Sequence, residues 1–138
     1  MHVSALRLQP GSDLRSGLLT YCRRQGIQAA WVLTCVGSLQ MAVLRFAGQA
    51  TPATLEGPFE ILGLSGTISQ HGLHLHILLA GASGSVLGGH LCEGSAVYTT
   101  AEIVLGVAED LVFRRLMDSR TRYSELVIES ARAPRNSP

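Results

Sequence analysis

Apolar and polar residues alternate over positions 3–8, the period of a half-buried strand, until Pro10-Gly11 ends the run. Ser12 or Asp13 can then cap a helix. Leu14, Leu18, Tyr21 and Cys22 follow at i, i+4, i+7 and i+8, one apolar stripe along a 3.6-residue period. Arg23 and Arg24 fall in the last turn, where cations suit the helix dipole, and Gly26 is the predicted C-cap. No other segment carries a convincing helical stripe. Positions 29–36 are almost all apolar, as in a central strand covered on both faces. Gly37-Ser38 predicts a turn, positions 39–46 a returning strand and positions 47–57 a loop. Further strands are predicted at 59–64, 66–69, 73–79, 86–91, 97–107 and 123–128, and 111–118 reads as either a helical turn or a short strand. One helix followed by strands at hairpin spacing predicts an α+β domain built on a mostly antiparallel or mixed sheet. The domain is expected over 1–129, with a loose tail at 130–138.

Composition narrows the class. At 138 residues the chain has the size of one domain with a substantial core. Hydrophobic residues make up 46% and charged residues 15%, an apolar balance that predicts surface buried between subunits. No run approaches the roughly 18 apolar residues of a membrane-spanning helix, and the first residues carry no basic stretch leading into an apolar one. A cytoplasmic protein with no membrane partner is expected. Cys22, Cys35 and Cys92 are odd in number and form no CxxC pair, which fits a reducing compartment. A net charge of +1 makes no electrostatic case for nucleic acid, although all eleven basic residues are arginine.

The chemistry concentrates in one stretch. His74 and His76 sit at i and i+2 of a predicted strand, so their rings share a face, with Leu73, Leu75 and Ile77 on the other. A three-residue loop, Ala82-Ser83-Gly84, fits a type I turn closed by a glycine in the left-handed region. That loop sets His90 directly across from His76 and Cys92 across from His74. A two-residue turn at Ser83-Gly84 would instead send His90 to the opposite face. In the first register three imidazoles can share a divalent ion, zinc first, with iron and manganese as other candidates. His71, in the preceding turn, and His2 read as surface residues.

Gly57-Pro58-Phe59-Glu60-Ile61-Leu62, Leu64-Ser65-Gly66, Leu73-His74-Leu75-His76, Gly88-Gly89-His90-Leu91 and Thr99-Thr100-Ala101-Glu102 resemble, in this order, the motifs of the PPC domain family. The resemblance covers nearly the whole chain. It implies a mixed-sheet fold, a homotrimer and distant kinship with acetolactate decarboxylase, in which a similar His-x-His and a later His hold zinc. His74, His76 and His90 occupy those motif positions. In the plant branch the domain follows AT-hooks that bind DNA, lacks these histidines and has arginine where this chain has Pro58. No Arg-Gly-Arg-Pro hook occurs here, so nucleic acid is not an expected partner.

Two readings follow. In the first the chain is a small metalloenzyme acting on a small carbonyl or carboxylate compound. Glu102 then serves as fourth ligand or acid/base group, or is merely an edge carboxylate, and Arg45 pairs with Glu60 or holds a substrate anion. In the second the chain is a trimeric interaction module or a DNA-binding one, the metal is structural, and Gly57, Phe59, Glu60, Ile61 and Leu62 form the contact surface. Gly88 and Gly89 in mid-strand predict a close approach by a ligand or a neighbouring subunit. Cys92 reads as inert, and the arginines at 114, 115, 120 and 122 as a solvated or phosphate-binding stretch.

Overall fold

The structure is a computed structural model that describes residues 1–131; the expected tail lies, from residue 132 on, outside the described residues. β1 (His2–Leu8) leads into α1 (Leu14–Gln25). Asp13 caps the helix by accepting the Ser16 N–H, and its second carboxylate oxygen accepts the Gly94 N–H at 2.6 Å, tying the cap to the neighbouring loop. Gly26 ends the helix in the left-handed conformation, as its position predicts.

The rest is strand: β2 (Ala30–Arg45), β3 (Ala53–Ser69), β4 (Gly72–Ala80), β5 (Val86–Leu91), β6 (Ala96–Val107), β7 (Leu111–Met117) and β8 (Ser124–Ser130). Six form one antiparallel sheet in the order β1-β6-β2-β3-β4-β5, and β7 and β8 form a separate hairpin. This is the α+β architecture expected.

β2 serves two neighbours on one edge. Its first three-quarters, Ala30 to Met41, pair with β6, and its end, Leu44 and Arg45, pairs with Leu91 and His90 of β5. β2, β3, β4 and β5 thus close on themselves. Bulges between Leu39 and Met41 and between Ile61 and Gly63 bend the two long strands enough for this. The predicted turn at Gly37-Ser38 is absent because β2 runs straight through it. Gly37 has φ 145°, and a Cβ there would overlap the Thr100 carbonyl, so the glycine marks the close approach of β6 rather than a reversal. Likewise the strands expected at 59–64 and 66–69 are one element, and the loop expected at 47–57 ends early, at Ala53.

Leu14, Leu18 and Cys22 of the helix are fully buried and belong to one core with Leu73, Leu75, Ile77 and Leu79 of β4 and Ile103 and Leu105 of β6. A smaller cluster of Ala29, Ala108 and Phe113 seats the β7–β8 hairpin. The Phe113 N–H donates to Gln28 O, and its carbonyl accepts the Ser69 hydroxyl at 2.8 Å. No helix among the described residues is long and apolar enough to cross a membrane.

Candidate metal centre

Burial alternates along β4, with Leu73, Leu75, Ile77 and Leu79 inward and His74, His76 and Leu78 outward. The turn after it has the expected three-residue form. The Gly81 N–H donates to Ser85 O at 3.0 Å, the Gly84 N–H donates to Gly81 O at 2.9 Å, and Gly84 has φ 81°. His76 and His90 are therefore direct cross-strand partners.

The ring centroids of the three histidines lie 5.0, 5.1 and 5.7 Å apart. One nitrogen from each falls within 4.8 Å of the others, and the Nε2 atoms of His74 and His76 are 3.3 Å apart. Two nitrogens each bound at about 2.05 Å to a tetrahedral ion are separated by about 3.3–3.4 Å. Nδ1 of His90 is buried without a hydrogen-bond partner, an unmet lone pair or N–H on one of the three rings. Burial lowers the pKa of His74, helped by Arg115 and His76, and burial followed by His74 and Arg45 lowers that of His90 to about 4. Both rings are neutral near pH 7, the form that binds a metal. The donor set, its spacing and its protonation state fit a divalent ion.

Three cavities border the rings, the smallest, of ≈ 230 Å³, against His74, His76 and Thr67; the other two are larger. One, of ≈ 630 Å³, is lined by Phe46, Leu78, Gly88 and Gly89 together with His76 and His90. The other, of ≈ 300 Å³, is bounded by Arg45, His74, His90, Arg115, Tyr123 and Glu125. Arg45 neighbours His90 on β2, and its guanidinium lies 5.7 Å from the Tyr123 ring centroid. Arg115 reaches from β7 to donate to Thr67 Oγ1, and Thr67 pairs with His74.

Several sequence expectations change here. Cys92 does not face His74: the β4–β5 ladder ends at His76–His90, and the Cys92 N–H donates to Val43 O. Arg45 forms no salt bridge with Glu60; that carboxylate sits on β3, opposite Ser38 and Ala80. Glu102 lies on β6, opposite Arg7 and Val36, and is not among the three residues that can share an ion; β2 and β3 separate its strand from β4. Phe59 and Ile61 are buried in the core, whereas Glu60 and Leu62 are exposed and Gly57 is half-buried. The object close to Gly88 is the protein itself, since a Cβ would sit 2.6 Å from Ile77 O; Gly89 packs likewise on Arg45 O. His71 is exposed and bonds Gln28, and His2 bonds Glu109. Of the four arginines, Arg114 pairs with Glu129 and Arg120 with Asp118. Sequence reasoning missed Tyr123 and the placement of Arg115 beside the histidines; it read Arg115 only as part of a solvated or phosphate-binding stretch. No spacing signals them, because only the docking of the hairpin brings them to the histidines.

An α+β fold whose sheet carries three imidazoles on two adjacent strands defines a protein able to hold a metal ion. Residues 1–109 match the Plants and Prokaryotes Conserved (PCC) domain, and the chain belongs to that family. The bifunctional protein GlmU of two Synechococcus strains is 46% and 45% identical to it over 129 residues, 94% of this chain. The chain spans only about a fifth of the length of those relatives, 21% and 20%. Among solved structures, a hypothetical protein from Salmonella enterica is 39% identical with a TM-score of 0.90, covering 94% of both chains. A metal-containing protein from Archaeoglobus fulgidus is 30% identical with a TM-score of 0.76, covering 92% of this chain and 94% of its own.

Proposed function

We propose that His74, His76 and His90 hold a divalent ion, zinc before iron or manganese, and that the site binds and activates a small carbonyl or carboxylate compound. The observation that carries this reading is the convergence of one nitrogen from each ring within 4.8 Å, with two of them 3.3 Å apart. The kinship with a metal-containing relative points the same way. Among the described residues no cysteine, aspartate or glutamate joins the three, which leaves room for an external ligand. Bound there, such an ion supplies Lewis-acid polarisation of a carbonyl or carboxylate oxygen. The chain's own part is to hold the His74 and His90 rings neutral, to present the flanking cavities and to keep the cations Arg45 and Arg115 beside them. Neutral imidazole suits zinc, and no protein carboxylate biases the set toward harder ions.

Metal analysis of protein purified without a histidine tag tests the reading. Close to one equivalent is expected in the parent, and little in His76→Ala or in the triple alanine variant. An unchanged metal content in the triple variant would sink it.

We further propose that the domain assembles as a homotrimer in the cytoplasm. The exposed apolar residues of the sheet, among them Leu33, Val36, Leu62 and Tyr98, supply surface for such an assembly. Sedimentation equilibrium at the monomer mass would overturn it.

A further inference from the structure

The β7–β8 hairpin lies beyond the residues that match the family, yet it walls one side of the histidine cluster. It contributes Arg115, Tyr123 and Glu125, and β2 contributes Arg45. Among the described residues neither Arg45 nor Arg115 forms a salt bridge. Arg45 has only the Tyr123 ring against its guanidinium, and Arg115 is anchored through one of its N–H groups to Thr67. An arginine carries five N–H donors, so most of those on both side chains stay open to another acceptor. With a divalent ion at the histidines, Arg45 and Arg115 border the same cleft, and among the described residues that line it Glu125 is the one carboxylate that offsets them. Such a surplus of positive charge in a half-buried cleft calls for an anion.

The adjoining cavity is mostly apolar away from Arg45. Phe46, Leu78 and the bare backbone of Gly88 and Gly89 line the ≈ 630 Å³ cavity, a size typical of small-molecule sites. The rings of His76 and His90 border that cavity, and His90 and Arg45 border both, so Arg45 stands where the two cavities meet. A ligand lying across the histidines would thus have its charged end between Arg115 and Arg45 and its apolar body beyond Arg45, against Phe46 and Leu78.

We propose that this chain binds a small carboxylate with an apolar body, its carboxylate received by Arg115 and Arg45 and its body lodged against Phe46 and Leu78. The inference rests on the metal reading for the ligand's position over the histidines, and it names the ligand class. A planar two-oxygen acceptor matches the forked guanidinium better than a lone hydroxyl does. Tyr123 acts as a positioning residue that holds the Arg45 guanidinium toward the cleft. Arg115 becomes a determinant of ligand charge, supplied by a hairpin that no motif announces.

Isothermal titration of the metal-loaded protein with 4-methylpentanoate, 4-methylpentan-1-ol, acetate and inorganic phosphate tests this, with metal content measured on every sample. The parent should bind 4-methylpentanoate more tightly than acetate and much more tightly than the alcohol. Arg115→Gln should weaken 4-methylpentanoate by about tenfold or more, the usual consequence of losing a charge-assisted contact, with metal content unchanged. Arg45→Gln should act in the same direction, and Arg120→Gln, whose arginine pairs with Asp118, should not. Leu78→Asp, at a position 53% exposed, should weaken 4-methylpentanoate and spare acetate. Equal binding of the alcohol, no binding of 4-methylpentanoate, or an Arg115→Gln variant with parental affinity would overturn the proposal. So would phosphate binding as tightly as 4-methylpentanoate. A parent that lacks metal but still binds the carboxylate through Arg115 would refute the metal reading while leaving this one standing.

Discussion

Deleting Ser83 tests what holds the histidines in register. In the intact chain the loop closes through Gly81 and Ser85, and a simple reading says that removing one residue flips β5 and hides His90. The structure supports the opposite outcome. A flip would turn Leu91, fully buried, outward, at about 1.5–3 kcal/mol. It would also turn His90 inward without a partner, at about 1–3 kcal/mol, and break the pairing of β5 with Leu44 and Arg45. The chain has a less costly response. Keeping the Ala80–Val86 pair leaves a four-residue loop, a common hairpin length, and forfeits only the two turn hydrogen bonds, at about 1–2 kcal/mol. The deletion should therefore lower stability modestly and keep the metal. With an unfolding entropy of about 0.3 kcal/mol/K for a chain this size, the melting temperature should fall by roughly 3–7 °C. Thermal melts with and without chelator, together with metal analysis, read both quantities. A drop beyond about 12 °C accompanied by loss of metal would show that the turn alone sets the register, and the reasoning would fail.

Other expectations concern the frame around the site. Asp13→Ala removes the helix cap and the bond to Gly94 N–H, and should cost about 2–3 kcal/mol in denaturant melts, with Asp13→Asn recovering part of it; a loss under 0.5 kcal/mol would refute the double role. Gly37→Ala drives a Cβ into the Thr100 carbonyl at positive φ and should cost more than about 3 kcal/mol, whereas Gly48→Ala, with positive φ but open space, should cost about 1–2 kcal/mol. Similar melts for the two would contradict that account. Burial raises the thiol pKa of Cys22 to about 11 and of Cys35 to about 12, so a disulfide reagent at pH 8 should label Cys92 alone in the native protein and all three in denaturant. Because both pKa values are raised on folding, the stability they contribute is complete below pH 9 and falls as pH climbs toward 11 and 12. Flat stability across pH 8–11 would contradict the burial of these thiols.

Much of the fold was legible because local patterns report local geometry. The i, i+4 spacing of Leu14 and Leu18, the Asp13 and Gly26 caps and the alternation through Leu73, His74, Leu75 and His76 each depend on a few neighbouring residues. The turn at Ala82-Ser83-Gly84 belongs to the same class, and its length was enough to predict that His90 pairs with His76, a register that packing of β5 then holds. Glycine was the ambiguous signal. Its lack of a side chain serves a turn at Gly84 and a close strand crossing at Gly37, and a single sequence does not distinguish the two.

What escaped the sequence depends on distant segments meeting. The closure of β5 on the end of β2 sets Arg45 beside His90, far from Glu60, and stops the ladder before Cys92 can face His74. Sheet order carries Glu102 away from the histidines although both lie on strands. The seating of Phe113 beneath Ala29 and Ala108 swings Arg115 and Tyr123 over the site. Those placements come from packing across the sheet, where the burial of apolar side chains, rather than the period of any one segment, selects the partner. The sequence by itself determined the elements and the triad; the tertiary structure decided which charges surround it.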